Sequence, residues 1–163
     1  MALRLADCYG SLGGIARRKN DHRGALEWYD KDREVEADPA YEITSTYNRV
    51  QSIVMQILVD QSSLSRAAGD LIGRTRSLLD LLSGILLPDA WTSADIILLA
   101  VISGNRRRLR RGWDALIDNE PTDDVYKSGL LVLKDLEGKL SDNALLSHAI
   151  GLYESKVSGR SSG

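Results

Sequence analysis

The densest run of functional groups in the sequence is basic: five arginines between Arg106 and Arg111, interrupted by Leu109. Such a cluster could contact the phosphates of a nucleic acid or of an anionic lipid. Leu109 also begins an apolar spacing continued by Trp113 and Leu116, which predicts a buried helical stripe with the arginines on the solvent side. Acidic residues follow closely between positions 114 and 124 and reduce the long-range field. A nucleic-acid partner is therefore disfavoured.

Groups for catalysis or metal binding do not come together in the sequence. His22 and His148 are far apart, and neither has a cysteine or a second histidine at ligand spacing. Cys8, the single cysteine, is expected to be a buried or half-buried helical side chain, and His148 a partly buried one. The carboxylates between positions 30 and 36 scatter around a helix instead of pairing across a cleft. We therefore predict no enzyme activity, no catalytic residue, no cofactor and no metal.

The elements that must position any binding group are helices. Pro39, Pro88 and Pro121 mark boundaries, because proline is accepted in the first turn of a helix and breaks a helix interior. Strand signals are nearly missing, so the sequence predicts an all-α fold of eight helices. The predicted helix pairs cover about residues 2–37, 39–87, 89–118 and 122–156.

Length and composition favour one intracellular domain. The chain has 163 residues and a net charge of −2. This length is enough for one core without disulfides or metals. No apolar run is long enough to cross a membrane. A single cysteine and no secretory leader favour a cytoplasmic location. We predict one helical-repeat domain over residues 1–157 and a disordered tail over residues 158–163.

The first helix pair carries a pattern of small and aromatic residues. Leu12, Gly13 and Ala16 lie on its first helix, and Ala25 and Tyr29 lie four apart on its second. Over residues 3–38 this pattern resembles the tetratricopeptide repeat, which places a Leu-Gly pair and a small residue on helix A, then an alanine and an aromatic residue on helix B. The resemblance implies helix pairs stacked in a right-handed superhelical array, with a helical bundle as the alternative.

The sequence departs from that family in two places. Asp32 stands where the family has a small residue on helix B. The second segment spans about 49 residues, against about 34 for a tetratricopeptide repeat. It is therefore either an extended repeat or an insertion between repeats.

The resemblance also implies a concave groove lined by the first helix of each pair. A pair of cations beside amide side chains would accept a carboxylate from a peptide tail or an acidic helix. The alternative for Arg17 and Arg18 is that they form the basic last turn of a helix, which the helix dipole favours. The residues expected in this groove are Asp7, Gly14, Arg17, Arg18, Thr44, Asn48 and Gln51.

The third segment presents an apolar face along Trp91, Ala94, Leu98 and Val101. Such a face must be covered, either by another part of the chain or by a partner helix. Trp91 would then be a binding anchor or a plug between helix pairs.

These observations predict a protein–protein interaction or scaffold module that binds a partner peptide or helix in a helical-repeat groove. One alternative is the regulatory or sensor region of a larger enzyme or effector. The other is a homodimeric helical bundle, with the leucine-rich stripe from Leu64 to Leu86 as its seam. The candidate partner-binding residues are Arg17, Arg18, Asn48, Gln51, Trp91 and Leu98.

Overall fold

The computed structural model describes residues 2–37, 46–59, 68–140 and 143–160, and in these residues it contains eight α-helices and no strand. This confirms the predicted all-α fold. Among the predicted features, Pro39, Thr44 and Leu64 lie outside the described residues. The helices are α1 (Ala2–Arg18), α2 (His22–Ala37), α3 (Tyr47–Val59), α4 (Ala68–Ser83), α5 (Ala90–Ile102), α6 (Arg106–Asp118), α7 (Asp123–Glu137) and α8 (Ala144–Arg160).

Contacts within the chain divide it into two compact units, Met1–Arg66 and Ala67–Gly163, which we call the N-terminal and the C-terminal unit. Helices adjacent in sequence pack against each other in both units, an arrangement compatible with a helical repeat. Whether the helix pairs form one repeat domain stays a prediction. No helix in the described ranges is long and apolar enough to span a membrane.

In the N-terminal unit, α2 packs against both α1 and α3. In the turn between α1 and α2, Asn20 takes a left-handed conformation with φ of 59°. The Oδ1 atom of Asp21 then accepts a hydrogen bond from the backbone N–H of Gly24 at 2.9 Å, which caps α2. Ala25 and Tyr29 are fully buried on α2, so the small-then-aromatic pattern marks the core side of this helix.

In the C-terminal unit, α5 is the central helix, because α4, α6, α7 and α8 all pack against it. Its residues Ile96 to Val101 are consecutively buried, as expected of a helix that is apolar on every side. Its N-terminus is capped by Asp89, whose Oδ1 atom accepts from the backbone N–H of Thr92 at 2.7 Å. The central position of α5 therefore follows directly from its sequence.

Two further helices of this unit bury the stripes that the sequence predicts. On α4 the buried residues Leu71, Thr75, Leu78 and Leu82 follow the heptad-like spacing. On α6, Leu109 and Leu116 are buried and Trp113 is half-buried. The Trp113 ring belongs to an aromatic cluster, with its centroid 5.2 Å from that of Tyr153 and 6.3 Å from that of Tyr126.

Candidate functional site

An open cleft of about 440 Å³ lies on the surface of the N-terminal unit, where α1 and α3 face each other. Four of the residues predicted to face a groove line it, namely Asp7, Gly14 and Arg18 on α1 and Asn48 on α3. Gly10, Ser11, Ile15 and Tyr47 complete its walls.

Small residues of α1 form the floor of this cleft. A Cβ atom on Gly10 would lie 2.7 Å from Oδ1 of Asn48, which is closer than nonbonded atoms tolerate. Glycine at this position therefore lets the Asn48 amide approach the backbone of α1 directly. One turn later, a Cβ atom on Gly14 would meet the Arg18 guanidinium only at an ordinary contact distance of 3.5 Å.

The end of the cleft at Asp7 and Asn48 adjoins two buried carboxyl groups of α2 that do not line it, those of Asp32 and Glu36. Asn48 is 6 % exposed and donates from Nδ2 to Oε1 of Glu36 at 3.2 Å, which leaves its Oδ1 atom without a hydrogen-bond partner. Asp32 on α2 is fully buried, and neither of its carboxylate oxygens has a hydrogen-bond partner. Buried polar atoms are nearly always paired, and an ordered water or a bound group can supply the donor that these acceptors lack.

The acidic side chains at this end of the cleft favour a positively charged ligand. Burial raises the pKa of Asp32 to about 7, and the neighbouring carboxylates of Glu36 and Asp7 contribute to the rise. The Asp32 carboxyl thus carries a proton part of the time at neutral pH. A cation beside Asp7 would offset part of this repulsion and lower the pKa of Asp32.

The opposite end of the cleft is basic. Arg18 is exposed and forms no ion pair with a carboxylate among the described residues. Arg17 instead donates from Nη1 to Oε1 of Gln51 at 3.3 Å, and Gln51 is 4 % exposed. This unit contains four of the candidate partner-binding residues. Arg18 and Asn48 line the cleft, whereas Arg17 and Gln51 connect α1 to α3 by a hydrogen bond.

Apolar side chains lie between the two ends. Ile15 is 42 % exposed and Tyr47 is 44 % exposed, both on the wall of the cleft. From Asp7 to Arg18 the α1 axis rises about 16 Å, or three helical turns. The cleft thus combines an acidic end, an apolar middle and a basic end over the length of a short peptide.

The two candidate residues in the C-terminal unit are placed very differently. Trp91 is 52 % exposed in the first turn of α5, whereas Leu98 is 6 % exposed in the core. Val101 is also fully buried, so this part of the predicted apolar face is covered by the unit itself. Leu86, at the end of the predicted leucine-rich stripe, is 90 % exposed, and the neighbouring Leu87 is 93 % exposed. Leu87 was not among the residues predicted from the sequence.

Two minor expectations from the sequence are wrong. Cys8 is exposed, because it lies two residues, or about 200°, around α1 from the buried Ala6. His148 is exposed as well, since the buried stripe of α8 runs through Leu146, Ala149 and Tyr153 and leaves His148 beside it.

Within the described residues, no group of three or more histidine, cysteine, aspartate or glutamate side chains is arranged to hold a metal ion. The chain matches no protein-family model, no curated protein and no solved structure. The cleft and its side chains are therefore the basis for assigning a function.

Proposed function

We propose that the N-terminal unit is a tetratricopeptide-like helical module, and that it binds a segment of a partner protein in the cleft between α1 and α3. The observation that carries the proposal is the set of exposed side chains along this cleft, with Asp7 at one end, Arg18 at the other and Ile15 and Tyr47 between them. Charged groups at both ends and apolar surface between them suit a segment of a partner protein.

The charges of the cleft define the segment that fits it. A lysine or arginine side chain would lie near Asp7, where it could donate to the exposed carboxylate. An acidic side chain or a terminal carboxylate would lie near Arg18. Apolar residues between them would cover Ile15 and Tyr47, whose exposed surface favours an apolar contact. The proposal includes a cytoplasmic location, on the ground of the single cysteine.

The experiment that tests this function is site-specific photo-crosslinking in the full chain. A benzophenone amino acid replaces Ile15 inside the cleft or, as a control, the exposed Glu27 on α2. The crosslinked partner peptide is then sequenced by mass spectrometry. We expect one dominant peptide from position 15, bearing a basic and an acidic residue separated by apolar ones, and no such peptide from position 27.

A charge-reversal pair completes the test. Arg18→Glu should reduce crosslinking from position 15 by about tenfold, since it replaces an attraction by a repulsion. Arg23→Glu makes the same change at another exposed arginine, outside the cleft, and should leave crosslinking unchanged. Crosslinking that survives Arg18→Glu, or is lost equally in both variants, would refute the assignment of the cleft.

A second candidate function, self-association, is favoured by one observation in the C-terminal unit. Leu86, Leu87 and Trp91 form an exposed apolar segment around the start of α5. Large exposed apolar patches mark surfaces that other proteins cover. We take a second copy of the chain as the partner in this case.

A further inference from the structure

A second cavity, of about 410 Å³, lies in the C-terminal unit, between α6 and α8. Its α6 residues recur at the spacing of one helix face, and its α8 residues lie four apart, so each helix presents one side to it. The cavity is lined by Arg106, Leu109, Arg110, Trp113 and Asp114 of α6 and by His148 and Leu152 of α8.

The apolar wall of this cavity is rigid. Leu109 is 2 % exposed, and the half-buried Trp113 ring contacts Tyr126 and Tyr153 in the aromatic cluster. Because Trp113 is held by two other rings, its orientation does not depend on a ligand. The indole therefore offers a preformed flat surface against which another ring can stack.

The polar groups of the cavity are mainly cationic and available. Arg106 and Arg110 are exposed, and neither forms an ion pair with a described carboxylate, not even Arg110 with Asp114 one turn away. Arg108, by contrast, forms an ion pair with Asp80 of α4, with 2.6 Å between Nη2 and Oδ1. Arg106 also lies at the positive N-terminal end of α6.

These features together specify a ligand. The volume falls in the range of small-molecule sites, which combine an apolar wall with a few polar groups. Two guanidinium groups bind a carboxylate with several parallel hydrogen bonds, and the Trp113 surface favours an aromatic ring. We propose that the cavity between α6 and α8 binds a small aromatic carboxylate, with its carboxylate on Arg106 and Arg110 and its ring against Trp113. A nucleic acid would need phosphate contacts over a larger surface.

The site is tested by titrating the full chain with 2-naphthoate and following the Trp113 indole N–H resonance by NMR. That resonance is assigned from its loss in Trp113→Phe. We expect saturable shifts with a Kd below about 1 mM. The uncharged 2-naphthamide should bind about tenfold more weakly, because it cannot form the charged hydrogen bonds. Acetate, which lacks the ring, should also bind about tenfold more weakly.

Two matched variants connect the binding to the proposed residues. Arg110→Gln should weaken naphthoate binding by about tenfold, while Arg111→Gln, at an exposed position outside the cavity, should leave it unchanged. Both positions are exposed, so both variants should retain the circular dichroism spectrum of the native chain. The proposal is overturned by an unshifted Trp113 resonance, by equal binding of naphthamide or acetate, or by equal effects of the two substitutions.

Discussion

Gly13 lies directly beneath the ring of Tyr29: a Cβ atom on Gly13 would come within 2.7 Å of Cε1 of that ring. The hairpin of α7 and α8 repeats the relationship, since a Cβ atom on Gly129 would overlap the ring of Tyr153. In both hairpins the ring of a buried tyrosine on the second helix packs against a glycine on the first helix. The two helices can therefore approach more closely than a side chain on the first would allow.

Gly13→Ala is expected to destabilise the N-terminal unit by about 1–3 kcal/mol, because the added methyl group must displace a fully buried ring. Gly14→Ala is the matched control on the next residue of α1. Its Cβ atom would meet only an ordinary contact at 3.5 Å. Alanine there should be neutral or stabilise the helix by up to about 1 kcal/mol. Chemical denaturation measures both, and equal free energies of unfolding would contradict the close-packing account.

Local pattern was enough to predict most of the fold. Asn20 and Asp21 form a turn and a helix cap because asparagine accepts a left-handed backbone and aspartate accepts from the first free N–H groups of a helix. Ala25 and Tyr29 are buried as the helical period predicts. The central position of α5 could also be anticipated, since the consecutive apolar residues from Ile96 to Val101 cover every side of the helix.

The candidate sites were only partly predictable, because they depend on which helices cover which faces. The resemblance to the tetratricopeptide repeat predicted Arg18 in a groove, but it could not show that Arg17 would bind Gln51. Asp32 was visible as a departure from the repeat pattern, although its burial depends on long-range packing. Leu98 and Trp91 lie on one predicted face, yet only Leu98 is covered.

Asp32→Asn tests the buried carboxyl through the pH dependence of stability. The pKa of Asp32 is raised from 3.8 to about 7 by burial and by Glu36 and Asp7. Between about pH 4 and pH 7 the folded chain keeps a proton that the unfolded chain has lost, so the native free energy of unfolding falls as the pH rises. The asparagine side chain of the variant cannot titrate. As the pH rises from about 4.5 to about 8, we expect the free energy of unfolding of the variant to increase by about 3 kcal/mol relative to that of the native chain.

The control for this prediction is Glu34→Gln, which neutralises an exposed acid on the same helix. An exposed substitution of this kind changes stability by less than about 0.5 kcal/mol. Urea denaturation at the two pH values gives all the free energies of unfolding. A difference between the native chain and Asp32→Asn that does not change with pH would contradict the raised pKa.

Asp89→Asn separates two roles of one residue. The Asp89 side chain caps α5, and its charge contributes, after burial, to raising the pKa of Asp95 to about 8. Asparagine keeps the capping oxygen but not the charge, so the pKa of Asp95 should fall while the stability stays nearly unchanged. Asp89→Ala should lower the pKa too, but cost about 1 kcal/mol through loss of the cap. Carboxyl ¹³C NMR titration and thermal unfolding measure the two effects.

Leu86→Ser with Leu87→Ser tests self-association through the apolar segment before α5. Both side chains are almost fully exposed, so the double change should leave the folded unit intact. Light scattering over a concentration series should give a mass that rises above 17.9 kDa for the native chain and stays at 17.9 kDa for the double variant. Leu131→Ser removes another exposed leucine, on α7, and should associate like the native chain. A native mass that stays at 17.9 kDa throughout the series would refute self-association, because a patch covered by a second copy must follow mass action.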